Sequence, residues 1–281
     1  MSENKTIIVK MAEKLVMLKQ EFARVYDGNS HIQEILPENP ADGLSVNQSH
    51  LEHLHSFARN NPIYYHSLKR KISDVSCVVY EGDINSYWLN SIKHGSSCQP
   101  FYPTWILSAY ITALNAKNLG CTQIVDIGSG DGRIAYCGKV LGLEAHSIEI
   151  DDVLVGLQSD IMRSTGVDFE HACADAAVFD YSSIESSQTA FFIGGLPQMG
   201  GDILANSAIE RILKYNRHDK DIMFVFAGSH SKRSLSNSVK NGGWDMLIKK
   251  YSLKVIDTIS FPTVWTFDQT AETPYIFTSL S

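Results

Sequence analysis

Two carboxylates flank a glycine-rich turn, and these are the residues whose types and spacing most directly imply chemistry. Ile124-Val125 is a short apolar run followed by Asp126. Then come the turn Gly128-Ser129-Gly130-Asp131-Gly132, a helical pattern over 133–141, and a second apolar run over 145–150 that carries Glu149. This is strand, tight turn, helix, strand, acid: one βαβ unit of the kind that holds a nucleotide. Glycines let the backbone adopt unusual φ/ψ and come close to a ligand, and the turn opens a helix whose free N–H groups can donate to it. An acid ending the second strand can accept from ribose hydroxyls. The spacing is G-x-G-x-G, not the G-x-G-x-x-G of a dinucleotide site, and Asp126 stands two residues before the first glycine. A carboxylate there repels a phosphate and suits an ammonium group, which argues against an NAD-dependent oxidoreductase.

On these residues the segment resembles the first motif of the class I S-adenosylmethionine (SAM)-dependent methyltransferases, [D/E]-x-G-x-G-x-G. Glu149, 17 residues after Gly132, matches the family's ribose-binding acid. SAM carries an amine and a sulfonium. The resemblance implies a SAM site built from Asp126, the turn residues Gly128, Ser129, Gly130 and Gly132, Glu149 with Ile150, Asp175 with Ala176 at the adenine, and Gly194. In this family a helix precedes the first strand and the loop leading into that helix folds over SAM, which puts Tyr102 and Thr104 there. An aromatic face beside a sulfonium gains about 0.5–2 kcal/mol of cation–π attraction. Phe101 and Trp105 read as core. The implied fold is Rossmann-like α/β: a seven-stranded, mostly parallel sheet with helices on both faces and an antiparallel last strand. It would cover residues 96–281, leaving 1–95 as a mainly helical N-terminal extension that recognises substrate or dimerises.

The loop after the expected fourth strand, Gly194 to Gly201, lacks the [D/N]-P-P-[Y/F] motif of amide and adenine-amino methyltransferases. That departure argues against those two acceptors. Thr263-Val264-Trp265-Thr266 with Tyr275-Ile276-Phe277-Thr278 resembles the C-terminal stretch of the non-SET histone lysine methyltransferases, the disruptor of telomeric silencing family. Its tyrosine–glycine–glutamate–threonine loop is missing, and Gly194-Gly195 stands where it has paired asparagines. This finer resemblance slightly favours a protein lysine as acceptor, with RNA and small molecules as alternatives. Tyr102 and Trp265 are the candidates for lining the methyl channel. Because Gly194-Gly195 supplies no polar group, SAM binding without turnover stays open.

Composition narrows the classes. Residues 1–100 hold 10 Lys and Arg against 11 Asp and Glu, so most of the net charge of −7 sits on the remainder. A protein relying on broad phosphate contact is usually basic. Five cysteines, none in a C-x-x-C pair, read as reduced thiols, neither a disulfide frame nor a zinc site. His50, His53 and His55 lack zinc-ligand spacing and no metal is expected. Neither a secretory signal nor a run of about 18 apolar residues is evident, so the expectation is a cytoplasmic monomer or homodimer.

The positioning elements follow from periodicity. Ile8, Met11, Leu15, Leu18, Phe22 and Val25 share one face of a helix, read as packing on its own domain. Residues 30–48 read as irregular, 48–59 as a second helix, and 75–80 as a short strand or buried helix end. Lys69-Arg70-Lys71 reads as a solvated helix face. Helices are expected at 106–119, 151–164, 202–215 and 231–241. Strands are expected at 167–173, 189–193, 221–227, within 244–261, and at 274–280.

Overall fold

The computed structural model describes residues 3–41, 43–91, 100–184, 188–215, 222–232, 240–264 and 269–280. In chain order the elements are α1 (Glu3–Val25), β1 (Ile32–Pro37), α2 (Gln48–Asn60), β2 (Tyr64–Ile72), β3 (Val75–Gly82), α3 (Asn85–Ser91) and α4 (Ile106–Asn118). Then follow β4 (Gln123–Ile127), α5 (Arg133–Val140), β5 (Glu144–Glu149), α6 (Asp152–Thr165), β6 (Glu170–Cys173), β7 (Thr189–Ile193) and α7 (Gly201–Tyr215). The chain closes with β8 (Met223–Ala227), β9 (Ser231–Lys232), α8 (Asp245–Lys250), β10 (Leu253–Pro262) and β11 (Ala271–Leu280).

The main sheet has the order β10-β11-β8-β7-β4-β5-β6, with the two-residue β9 paired to β11. Strands β4 to β8 pair in parallel, and β11 runs antiparallel to both neighbours. This is the α/β sheet the motif implies. Both faces are buried, so alternate residues of one strand serve different cores. Ile124 joins a cluster with α1, α2, α4, α5 and α6, whereas Val125 and Ile127 join one with α7 and α8. No helix among the described residues is long and apolar enough to cross a membrane.

The N-terminal segment holds more than helices. β1, β3 and β2 form a three-stranded antiparallel sheet, where residues 30–48 read as irregular and the basic run read as a helix face. Lys69-Arg70-Lys71 lies in β2. There Lys69 and Lys71 point to solvent while Arg70 is half-buried and pairs with Asp27 at 3.2 Å, the alternation of a strand with one open face. The hairpin to β3 turns on Ser73-Asp74, with Ser73 at φ 52, and contains no glycine to mark it. Helix α1 buries Ile8, Met11, Leu15, Leu18 and Phe22 against β10 and α4, while Val25 is 46% exposed. The helix expected over 231–241 begins instead as β9 and ends in a 3-10 turn at Lys240–Gly243; 233–239 lie outside the described residues.

Candidate functional site

Strand order reverses at β4, whose neighbours β5 and β7 lead the sheet off in opposite directions. Ligands of open α/β sheets bind at such a point, beyond the carboxyl ends of the strands. A cavity of about 490 Å³ lies there, lined from the ends of β4, β5 and β7, the loop before α4, and the first turns of α7. Of the residues singled out from sequence, Tyr102, Thr104, Asp126, Gly128, Ser129, Gly130, Glu149, Ile150, Asp175, Ala176 and Gly194 line it. Gly132 does not. At φ 75 it starts α5, and a Cβ there would meet Phe169 at 2.8 Å and Gln158 at 3.1 Å, so the third glycine serves packing. Trp265 lies outside the described residues.

Asp126 is the last residue but one of β4, between two parallel neighbours, and only 3% of its surface is exposed. Its Oδ2 has no hydrogen-bond partner among the described residues. Burial pushes its carboxyl up to about 8, against a pull from the backbone N–H of Ala135 and with a further push from Glu149 and Asp131. A buried carboxylate oxygen without a donor is costly unless a ligand supplies one, and Asp126 lines the cavity where a ligand could. Glu149 is held differently. Its Oε2 accepts from Gly130 N–H at 2.7 Å, and its Oε1 from Ile150 and Asp151 N–H at 2.9 and 3.1 Å. Burial raises its pKa while these backbone bonds lower it. A carboxylate has about four acceptor directions, so three are taken and one remains on Oε2.

The glycine turn needs its glycines for two different reasons. Gly128 and Gly130 have φ of 67° and 57°, where side chains are strained. Gly194, opposite, needs closeness: a Cβ would sit 2.6 Å from the Gly128 carbonyl oxygen. Gln158, fully buried on α6, braces the turn by donating to Gly130 O at 2.7 Å and Ser129 Oγ at 3.0 Å. Asp175 is exposed at the rim, its Oδ1 capping Ala177 N–H at 2.8 Å. Tyr102 is 39% exposed. Trp105 is core as expected, whereas Phe101 is both buried and part of the lining, its ring lying over Gly130.

Sequence reasoning missed several lining residues. Tyr275 of β11 is buried beside the Thr104 side chain, and burial drives its pKa up, so it is a neutral phenol. Leu196, Met199, Ile203, Leu204, Val225 and His230 form the wall away from Glu149. Arg133 is the miss that carried a signal. It is the first residue of α5, where a cation opposes the helix dipole and so must be held by something else. Burial works against its charge, but Asp131 leads the groups that keep its pKa well above the ordinary value.

No family model matches the chain, and no curated protein is similar to it. Solved structures are. The tRNA (uracil-54, C5)-methyltransferase of Pyrococcus abyssi, in complex with S-adenosyl-L-homocysteine, is 13% identical with a TM-score of 0.45 over 76% of this chain and 44% of its own. P. horikoshii TYW2 in complex with MeSAdo is 9% identical, with a TM-score of 0.46 over 76% of this chain and 70% of that one. Magnesium protoporphyrin IX methyltransferase of Synechocystis PCC 6803, with bound S-adenosyl-L-homocysteine, is 13% identical, with a TM-score of 0.43 over 63% and 81%. The chain thus spans under half the length of the first of these. What the site can do rests on its own geometry.

Proposed function

We propose that the chain binds SAM in this cavity and transfers its methyl group to an uncharged acceptor. One observation carries the reading: Asp126 lines the cavity, and its buried Oδ2, without a hydrogen-bond partner among the described residues, calls for a cationic donor. The methionyl ammonium is such a donor, and its arrival favours the ionised carboxylate that burial alone disfavours. The remaining direction on Glu149 Oε2 would take one ribose hydroxyl. Asp175 and Ala176 would border the adenine at the rim, and Ile150 would pack beside it. When bound, SAM supplies a methyl group already activated on a sulfonium. The chain's task is therefore alignment and exclusion of water more than acid–base chemistry.

The acceptor side follows from the opposite wall. Leu196, Met199, Ile203, Leu204 and Val225 are apolar, and the ionisable groups there are His230 and the neutral phenol of Tyr275. Such a wall disfavours a charged acceptor and accepts a neutral nucleophile. A lysine would have to enter as the free amine. The C-terminal stretch that favoured lysine gains no support here, since Trp265 lies outside the described residues. A small uncharged acceptor is the better fit.

Titration calorimetry with SAM, S-adenosyl-L-homocysteine and NAD tests the cofactor. Binding of the first two without the third is expected, and NAD binding alone would overturn the reading. Tritiated SAM with fractionated lysate then tests the reaction, with label expected among small molecules. Label in protein or RNA would refute the acceptor class. Tight SAM binding with no label anywhere would favour a binding protein without turnover, the role that the bare Gly194-Gly195 backbone also suits.

A further inference from the structure

The N-terminal sheet reaches the cavity through one buried cluster of side chains. Glu34 lies in β1 and is 1% exposed. Its Oε2 accepts three bonds: from the Ile106 backbone N–H at 2.9 Å, the Tyr64 hydroxyl at 3.2 Å, and Arg133 Nη1 at 3.3 Å. The same Nη1 of Arg133 donates to the Thr104 carbonyl. The rest of the guanidinium grips Asp131 through Nε and Nη2, and its carbon stands 5.6 Å from the centre of the Phe57 ring. Asn61, wholly buried after α2, donates to Asp131 Oδ2 at 2.8 Å. Beside this cluster the Trp105 indole donates to the Gln33 carbonyl at 2.8 Å.

Three stretches meet in these contacts. Glu34, Asn61 and Tyr64 come from the N-terminal segment, Asp131 and Arg133 from the glycine turn, and Thr104 to Ile106 from the loop entering α4. Thr104, Asp131 and Arg133 line the cavity, whereas Glu34, Asn61 and Tyr64 do not. The loop's seat over the turn is set from behind, by groups that never meet the ligand.

We infer that Glu34 and Asn61 are positioning residues for the cavity: through Arg133 and Asp131 they hold the segment Phe101–Ile106 against the glycine turn. The N-terminal segment is then a wall of the site, whatever else it recognises. A single oxygen, Glu34 Oε2, ties β1 to both the loop backbone and the arginine. Truncating it leaves the Ile106 N–H without its acceptor and removes one of the two groups Arg133 Nη1 reaches. An amide oxygen in the same place restores both acceptances, because Arg133 keeps its charge through Asp131. Only the ligand's identity rests on the SAM reading above.

The test compares wild type, Glu34→Ala, Glu34→Gln and Tyr64→Phe by two readouts. The first is amide hydrogen exchange of the ligand-free protein at residues 104–106, normalised to the amides of β4. The second is SAM affinity by calorimetry. In Glu34→Ala the protection of 104–106 is expected to fall about tenfold beyond any fall in β4, and SAM affinity to fall by about the same factor, as for a lost charge-assisted hydrogen bond. Glu34→Gln should recover most of both. Tyr64→Phe removes one of the three bonds, keeps the fold if Glu34→Ala does not, and should move both readouts less in the same direction. Protection lost evenly across the sheet, or unchanged at 104–106, overturns the inference. A wild type that ignores SAM but shows the local exchange pattern sinks the cofactor reading and upholds the clamp.

Discussion

Asp126→Asn should make the ligand-free protein more stable and the loaded one weaker. Burial holds the carboxyl near 8 in the folded chain, whereas an unfolded aspartate titrates near 3.9. Between those values the folded state keeps a proton that the unfolded state has lost. Stability therefore falls as pH rises through this window, by about 1.4 kcal/mol per unit, and the full cost is present above about 8. Below about 4 both states are protonated and the cost vanishes. Asparagine never ionises. From pH 6 to 8 the wild type should lose on the order of 2 kcal/mol that the variant keeps, which for a chain of this size is roughly 5 °C in Tm. Glu34 also carries a raised pKa but is common to both proteins and cancels in the comparison, whereas the push of Glu149 on Asp126 is part of the effect that the substitution removes. Scanning calorimetry at pH 6 and 8, with and without SAM, reads both halves. The variant should melt higher, by more at pH 8, and SAM should protect it less, since about tenfold or more of affinity goes with the charge-assisted bond. An equal Tm difference at both pH values would show that Asp126 is not a buried acid lacking a partner. Equal protection by SAM would remove it from the ammonium.

Other outcomes follow from the same geometry. SAM binding should release protons at pH 7, because a cation beside Asp126 lowers the raised carboxyl pKa; calorimetric enthalpies measured in buffers of different ionisation heat will show a slope, and no slope argues against the pairing. Glu149→Ala should weaken SAM by about tenfold or more and also loosen the turn, since Gly130 N–H loses its acceptor; affinity in a variant shown folded by circular dichroism is the check. Gly194→Ala should lower stability by about 1–3 kcal/mol, because its Cβ meets backbone oxygens at 2.6 and 2.9 Å that cannot give way. Gly156→Ala, on an exposed stretch of α6 with open space around it, should instead stabilise by about 0.5–1 kcal/mol. Denaturant midpoints will separate those two signs.

Legibility followed chain distance. Asp126, Gly128, Ser129, Gly130 and Glu149 were readable because one contiguous βαβ unit brings them together, and local turn and strand rules suffice to place them. Gly132 belongs to the same run but does not line the cavity. Its neighbours Gln158 and Phe169 lie 26 and 37 residues further along, and no local pattern announces them. The N-terminal hairpin escaped for a related reason. Strand β2 covers YYHSLKRKI, where one face is wet and its basic residues are matched by Asp27 and Glu38 across space, so the polar run mimics a solvated helix.

The Glu34 clamp shows why such contacts resist reading. Glu34 and Arg133 stand 99 positions apart. Each alone breaks a local rule: an acid in a strand that is otherwise buried, a cation at a helix N-terminus. Neither violation names its partner, yet two opposite charges placed where neither can be solvated alone must find each other or unfold the chain. Local rules could therefore flag both residues as needing an explanation, and only the tertiary fold could show that each is the other's. The cavity inherits that dependence: its glycine turn is written in five consecutive residues, but the loop that closes on it is held in place from a sheet a hundred residues upstream.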